Sequence, residues 1–291
     1  MKRNRFIQLS STLIAMASLS SLKTFADGLS EEETLMPALF IGHGSPMNGI
    51  QGNEFSLSWQ KMGQEIPQPK AVLCVSEHWL TSGTHITAMP NPRTIHDFGG
   101  FPKELYEVQY PAPGSPELAA TTAALVKKTP VHLDHEWGLD HGTWTVVRHM
   151  YPEANIPVLQ LSIDYNKPAQ YHYELAQELA ALRKKGVLII GSGNMVHNLG
   201  MVAWDKLDSN YGFDWAIEMN ELFKKNILDA NHQSLINYQT LSPAARLAIP
   251  SPDHYFPLIY TLGLQKKNES VSFFNDTPMG GSLTMTSLKI G

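Results

Sequence analysis

The sequence predicts one α/β domain, with a mostly parallel or mixed central sheet flanked by helices on both faces. The chain has 291 residues and is 43% hydrophobic, which is enough to bury one large core. Its strongest apolar runs are continuous rather than alternating, as expected for strands buried on both faces. Helical patterns separate these runs, and no repeat or low-complexity linker divides the chain.

The apolar runs predict the strands. Four continuous runs predict buried strands: PALFIGH (37–43), KAVLCVSEHW (70–79), IPVLQLSID (156–164) and GVLIIGSGN (186–194). Two alternating runs, HITAMP (85–90) and SLTMTSLKI (282–290), predict edge or antiparallel strands.

Three helices are predicted between or after these strands. They span Pro116–Lys128, Pro168–Lys185 and Phe213–Ala230. Two of them begin with proline, which suits the first helical position, and Gly186 provides a stop for the second. In an open sheet of this kind, a functional site is expected beyond the carboxyl ends of the strands.

Residues 1–26 have the pattern of a secretory signal peptide. Basic residues precede a serine-diluted apolar stretch, and a cleavage site is expected after Ala26. The stretch is too short and serine-rich for a membrane span, although an anchor or a disordered tail stays open. Export would make the mature protein periplasmic or secreted, free of the membrane, with a formal charge of −9 after four basic residues leave the −5 chain. Without a functional leader, the protein is expected in the cytoplasm.

Charge and cysteine content exclude two classes of protein. Charged residues make up 17% of the chain, and no run of like charges forms a basic surface, so no nucleic-acid partner is expected. Cys74 is the only cysteine, so the chain has no intramolecular disulfide.

Four of the twelve histidines share a placement. His43, His78 and His197 follow buried strands, and His254 lies in a proline-bordered loop, PSPDHYFP. A single histidine at a strand end is usually a satisfied polar group. Four at the same edge of a sheet instead indicate a metal site, because imidazole is a common ligand of zinc and iron.

The other histidines are less informative. His141, in WGLDHGTWTV, is either functional or a surface residue beside a helix cap. His172 and His232 lie in helical patterns, and we expect both on solvated faces.

Five motifs in register resemble the class III extradiol ring-cleavage dioxygenases, and the DOPA 4,5-dioxygenase-like branch most closely. The motifs are PALFIGHGSPMN, SEHW, LDHGTWTVV, GSGNMVHNL and PSPDHYFPL. They run in order through residues 36–291, which the resemblance therefore identifies as the catalytic domain.

The resemblance implies a role for each histidine. It makes His43, His78 and His254 the ligands of one Zn²⁺ or Fe²⁺ ion, His197 the acid–base group, and His141 part of the substrate pocket. The wider class uses two histidines and one carboxylate, so His254 stands where a carboxylate is expected.

Three further residues are candidates for the pocket or its supports. Trp144 is expected as an apolar wall of the pocket, and Ser45 and Asn194 as groups that position water or ligands. The loop at 91–102 is expected to form part of the pocket, where Arg93 either meets a substrate carboxylate or is solvated.

The implied reaction inserts both atoms of O₂ into a catechol such as DOPA and gives a muconic semialdehyde-type product. The partners are then a small catechol and O₂, and a monomer is expected because relatives are often monomers. Two other interpretations stay open: a zinc hydrolase that uses the same three histidines, and a non-enzymatic periplasmic zinc-binding protein.

Overall fold

The computed structural model describes residues 35–207 and 209–291, and the predicted signal peptide at 1–26 lies outside them. The strands are β1 Ala38–Gly42, β2 Ala71–Thr81, β3 Thr84–Thr87, β4 Arg93–Thr94, β5 Val131–Asp134, β6 Gly138–Leu139, β7 Val158–Asp164, β8 Val187–Gly193, β9 Val271–Phe274, β10 Pro278–Met279, β11 Leu283–Thr284 and β12 Ser287–Ile290.

The α-helices vary from one turn to fifteen residues. They are α1 Glu54–Glu65, α2 Lys103–Tyr106, α3 Pro116–Leu125, α4 His141–Met150, α5 Ala169–Leu179, α6 Asp214–Leu228, α7 His232–Ile236, α8 Ala245–Ala248 and α9 Phe256–Gly263. Short 3₁₀ turns span Pro46–Gly49, Ala180–Lys185, Leu199–Met201, Trp204–Lys206 and Tyr238–Thr240.

The main sheet is mixed and has the strand order β5-β3-β7-β2-β8-β1-β12-β9. Its four central strands, β7, β2, β8 and β1, are parallel, while β12 pairs antiparallel with both β1 and β9. The predicted α/β fold with a mostly parallel or mixed sheet is confirmed. The parallel centre brings several strand ends to one edge, where the candidate site lies.

Alternate residues of the central strands face two separate apolar layers, which explains why their sequences are continuously apolar. Ala38 and Phe40 of β1 pack in the layer that includes α3, α5, α6 and α9. Leu39 and Ile41 pack on the opposite face, against α1 and α4. Helices therefore cover both faces of the sheet.

The predicted helices exist, with ends that differ by a few residues. The second helix begins at Ala169 and changes to 3₁₀ geometry at Ala180. It stops at Gly186, whose φ of +79° is the left-handed conformation that glycine adopts without strain. The predicted strand at 282–290 is two short strands, β11 and β12.

The expectation that His172 is solvated is wrong. Its side chain is fully buried in the apolar layer behind α5, and Nδ1 lies 3.0 Å from the hydroxyl of Tyr260. The helical pattern alone favoured an exposed position for this histidine. A histidine is nevertheless tolerated in the core when its nitrogen has a hydrogen-bond partner, as here. His232 is half-buried, with Nδ1 2.9 Å from the Tyr173 hydroxyl.

Among the described residues, no helix has the length and apolar character that crossing a membrane requires.

Candidate metal centre

The three predicted metal ligands lie at the carboxyl edge of the parallel strands. His43 directly follows β1, and His78 lies near the end of β2. His254 lies in the loop before α9 and is held close to the end of β8. Its carbonyl accepts a hydrogen bond from the Asn194 amide at 3.0 Å, and a Cβ at Gly193 would lie 2.2 Å from the same oxygen. Only glycine at 193 permits this approach.

The three imidazoles form a nearly equilateral triangle. The ring centroids of His43, His78 and His254 lie 5.6, 5.8 and 5.9 Å apart. One ligand atom from each, together with a carboxylate oxygen of Glu77, lies within 4.8 Å of all the others. Side chains separated by more than two hundred residues thus converge at one point.

Glu77 is a member of this cluster that the sequence reasoning missed. Its Oε1 lies 3.0 Å from Nε2 of His43 and 3.6 Å from Nε2 of His254, and it also contacts Nε2 of His78. Glu77 is 2% exposed. A buried carboxylate therefore sits at the centre of the three imidazoles.

An irregularity in β2 brings Glu77 and His78 to the same place. The pairing of β2 with β7 shifts between Val75 and Leu80, which face Leu161 and Ile163 respectively. Consecutive residues of a regular strand point to opposite faces, but a bulge redirects a side chain. Regular alternation would send Glu77 away from His78, and for that reason the strand pattern gave no sign of it.

Each of the three imidazoles has an oxygen partner at Nδ1. The partners are Ser192 Oγ for His43 at 3.2 Å, Asp97 Oδ2 for His78 at 3.3 Å, and Asp253 Oδ2 for His254 at 3.1 Å. Because Ser192 donates its own proton to the Gly142 carbonyl, it accepts from Nδ1–H of His43. The hydrogen-bonded partners of His43 and His254 fix the tautomer that leaves the Nε2 lone pair free for a metal, whereas the contact of Asp97 with His78 lacks good hydrogen-bond geometry.

The electrostatics of the cluster favour an ionised carboxylate. Burial raises the pKa of Glu77, but attraction from His43, His78 and His254 outweighs it and holds the pKa well below the usual range. Burial lowers the pKa of His78, and Glu77 more than compensates, raising it to about 9. Burial keeps the pKa of His43 below its ordinary value.

This donor set fits a divalent cation. Neither carboxylate oxygen of Glu77 nor Nε2 of His78 has a hydrogen bond of good geometry within the described chain. A buried anion facing imidazole lone pairs is costly unless a cation lies among them. Three imidazole nitrogens and one carboxylate oxygen suit Fe²⁺ or Zn²⁺.

His197 lies beside the cluster without belonging to it. Its ring stacks on His254, with centroids 3.5 Å apart and planes 8° from parallel. Burial and the neighbouring His254 lower the pKa of His197 to about 3. The side chain is therefore neutral at physiological pH.

His141 shares Asp97 with His78. Its Nδ1 lies 3.1 Å from Asp97 Oδ2, and its ring lies 3.8 Å from that of His78. This contact lacks good hydrogen-bond geometry, but the backbone amide of His141 donates to Asp97 Oδ1 at 2.9 Å. Asp140 caps α4 by accepting from the Thr143 amide at 3.1 Å, so this segment has both a helix cap and an imidazole at the cluster.

A cavity of about 1000 Å³ adjoins the cluster. The imidazoles of His43, His78, His141, His197 and His254 line it. Its other walls include Pro46 and Met47, Phe55 of α1, and Gly99 to Phe101 of the loop at 91–102. The cavity thus provides room for an aromatic molecule beside the imidazoles, and the loop contributes to it as expected.

The remaining predicted residues have other surroundings. Ser45 lines the cavity and caps a 3₁₀ turn by accepting from the Met47 amide at 3.3 Å. Asn194 is buried; its side chain donates to the Thr284 carbonyl at 2.8 Å, and its backbone amide donates to the His254 carbonyl at 3.0 Å. Trp144 is predicted as a substrate contact or a support of the pocket. It is fully buried outside the cavity lining, with Nε1 donating to the Ile95 carbonyl at 2.8 Å.

Comparisons with known proteins agree with this geometry. The chain is 48% identical to a 4,5-DOPA dioxygenase extradiol of Escherichia coli K12 over 262 residues, 89% of this chain and 96% of the relative. It is 34% identical to the enzyme of the same name from Beta vulgaris, over 90% of this chain and 98% of the relative. The crystal structure of an uncharacterized Escherichia coli K12 protein, 43% identical, superposes with a TM-score of 0.77 over 88% of this chain and 100% of the other.

The family model for the catalytic LigB subunit of aromatic ring-opening dioxygenase matches residues 37–281. This match spans every residue of the imidazole–carboxylate cluster. The chain belongs to the LigB family of class III extradiol dioxygenases, in its DOPA dioxygenase-like branch.

Proposed function

We propose that the protein cleaves a catechol of the DOPA class beside its two hydroxyl groups, inserting both atoms of O₂ to give a muconic semialdehyde-type product. The observation that carries this proposal is the convergence of three imidazoles and one carboxylate beside a cavity large enough for an aromatic ring. Dioxygenases of the family use a metal ion. The cluster offers the ligands for it.

His43, His78, His254 and Glu77 would hold the ion in this proposal. The resemblance implied three histidines without a carboxylate, and Glu77 supplies the anionic ligand that the wider class uses. A bound Fe²⁺ ion would hold the catechol oxygens and supply the redox chemistry for O₂, which Zn²⁺ lacks. We therefore propose Fe²⁺ as the ion that supports turnover.

His197 and His141 are the proposed catalytic residues. His197, which lines the cavity, accepts a proton from one catechol hydroxyl and returns it later in the reaction. Nε2 of His141 accepts a hydrogen bond from the substrate, while Asp97 fixes its ring. Both roles need only imidazoles that line the cavity and do not hold the metal.

Oxygen uptake on a catechol panel tests the proposal. Apoprotein is reconstituted in parallel with Fe²⁺ and Zn²⁺, and the ring-opened product is followed by absorbance. We expect oxygen consumption with Fe²⁺ alone. Ester or amide hydrolysis with Zn²⁺ and no oxygen uptake would instead support the hydrolase, and metal binding without any turnover would support the zinc-binding protein.

We also propose that residues 1–26 direct export and are cleaved after Ala26. The support is the sequence pattern alone. Mass spectrometry of protein from fractionated cells tests it: a mature chain beginning at Asp27 outside the cytoplasm is expected. An intact N-terminus in the cytoplasm would contradict export.

Size-exclusion chromatography with light scattering of the same sample tests the expected monomer.

A further inference from the structure

We infer that the cavity favours catechols whose ring substituent is neutral or cationic, and that Glu54 binds an ammonium group on that substituent. This inference rests on the proposed function, because it assumes that the catechol oxygens face the imidazoles. It concerns the cavity walls that the imidazoles do not form, where the substituent would lie.

The described walls of the cavity carry no lysine or arginine. Arg148 donates to the Gly49 carbonyl, and Lys206 lies over the ring of Tyr211 at 3.9 Å, so both are engaged elsewhere. Arg93, the candidate for a substrate carboxylate, does not line the cavity. A substrate carboxylate would therefore lose water without gaining a cationic partner, which is costly.

The N-terminus of α1 lines the cavity but offers few free donors to an anion. Oδ1 of Asn53 accepts from the amides of Phe55 and Ser56 at 3.1 and 3.0 Å. The Ser56 hydroxyl in return accepts from the Asn53 amide at 3.0 Å. This reciprocal cap satisfies donors that would otherwise attract a carboxylate.

Glu54 is the one carboxylate among the described cavity walls. It is exposed, and no lysine or arginine of the described chain pairs with it. A substrate ammonium would form a charge-assisted hydrogen bond with this carboxylate. For an amino-acid catechol such as DOPA, the inference puts the ammonium at Glu54 and the carboxylate toward solvent.

Glu54 also has a simpler explanation. It occupies the first turn of α1, where a carboxylate complements the helix dipole. That role affects the stability of the helix and does not depend on the charge of the substrate. The two explanations therefore differ in their effect on substrate preference.

The test uses two catechols with the same two-carbon spacer: dopamine, which ends in ammonium, and 3,4-dihydroxyphenylpropionate, which ends in carboxylate. Oxygen uptake gives kcat/KM for each, with 4-methylcatechol as a neutral reference. We expect the Fe²⁺-loaded protein to prefer dopamine. Glu54→Gln should lower kcat/KM for dopamine about fivefold, the size of a partly exposed ion pair, and leave 4-methylcatechol unchanged. Glu54→Lys should reverse the preference.

Glu65→Gln is the matched control, since Glu65 lies on the same helix away from the cavity walls and pairs with Lys61. It should leave the ratio of the two substrates unchanged. Thermal unfolding of each variant measures the contribution of the helix dipole separately.

Turnover, together with binding measured by anaerobic calorimetry, distinguishes failure of the inference from failure of the proposed function. If 4-methylcatechol is consumed but the ratio is the same in Glu54→Gln and Glu54→Lys, the inference is overturned and the function stands. If no catechol is consumed, the proposed function fails. Binding of the two charged catechols then decides the inference, which is overturned if Glu54→Lys leaves their relative affinity unchanged.

Discussion

Oε1 of Glu77 lies 3.0 Å from Nε2 of His43, at the centre of three imidazoles that come from distant parts of the chain. The carboxylate is buried and accepts no hydrogen bond of good geometry from the described residues. A group in this position is stabilised by a cation. Three predictions concern this cluster and the contacts around it, and a fourth concerns the buried His172.

Replacing Glu77 by Gln should weaken metal binding strongly, because the anionic ligand is lost while the shape of the side chain is kept. The loss should exceed the roughly 10–100-fold that follows removal of an outer hydrogen-bond partner. Competition titration with a chelating dye measures it. In addition, saturating metal should raise the Tm of the unchanged protein more than that of the variant. Equal metal affinity in Glu77→Gln and in a Glu65→Gln control would remove Glu77 from the ligand set.

Asp97→Asn should reduce metal affinity by about 10–100-fold and also impair turnover. Asp97 contacts Nδ1 of both His78 and His141, so one substitution disturbs a proposed ligand and a proposed catalytic residue. Metal titration followed by kinetics at saturating metal separates the two effects. A variant with unchanged affinity and unchanged kcat would show that neither ring depends on this carboxylate.

His197→Phe should retain about one metal ion per chain and lose activity by roughly 10²–10⁴-fold. Phenylalanine keeps an aromatic ring against His254 and removes the nitrogens that move the proton. Metal analysis and oxygen uptake are measured on the same sample. Turnover at the unchanged rate would contradict the acid–base role, whereas loss of the metal would mean that the ring supports His254 structurally.

His172 should make stability depend on pH. Burial lowers its pKa to about 4, whereas in the unfolded chain the value is about 6.5. The unfolded state therefore takes up a proton first, and stability present above pH 6.5 is lost as the pH falls toward 4. Between pH 7 and 5 this group should cost about 2 kcal/mol of unfolding free energy.

Urea unfolding of chelator-treated protein at these two pH values measures the loss, with His172→Gln as the comparison. The Gln variant should lose less stability on acidification, and the cluster histidines contribute equally to both proteins. Identical pH dependence in the two proteins would mean that His172 does not titrate as proposed.

The sheet and the main histidines could be predicted because each leaves a local signal. A continuous apolar run indicates a strand buried on both faces, and a polar residue after it marks the strand end. His43 and His78 were found in this way and converge because parallel strands end at one edge of the sheet, whereas His254 was singled out by its proline-bordered loop.

Glu77, Trp144 and His172 could not be predicted because their surroundings are set by tertiary packing. The β2 bulge redirects Glu77, and a period of two carries no information about such a shift. Trp144 comes three residues after His141, which lines the cavity, but its ring packs against Gly49. A Cβ atom added at Gly49 would lie 2.5 Å from that ring. His172 lies on a helix whose outer face is covered by α9.

The spacing of the four proposed ligands along the chain also bears on when the protein acquires its ion. His254 follows β1, β2 and β8 in the chain and comes more than two hundred residues after His43. A nascent chain therefore cannot assemble the full ligand set before His254 has been synthesised. If the leader carries the chain out unfolded, the metal supply of the receiving compartment, rather than that of the cytoplasm, determines which ion is loaded.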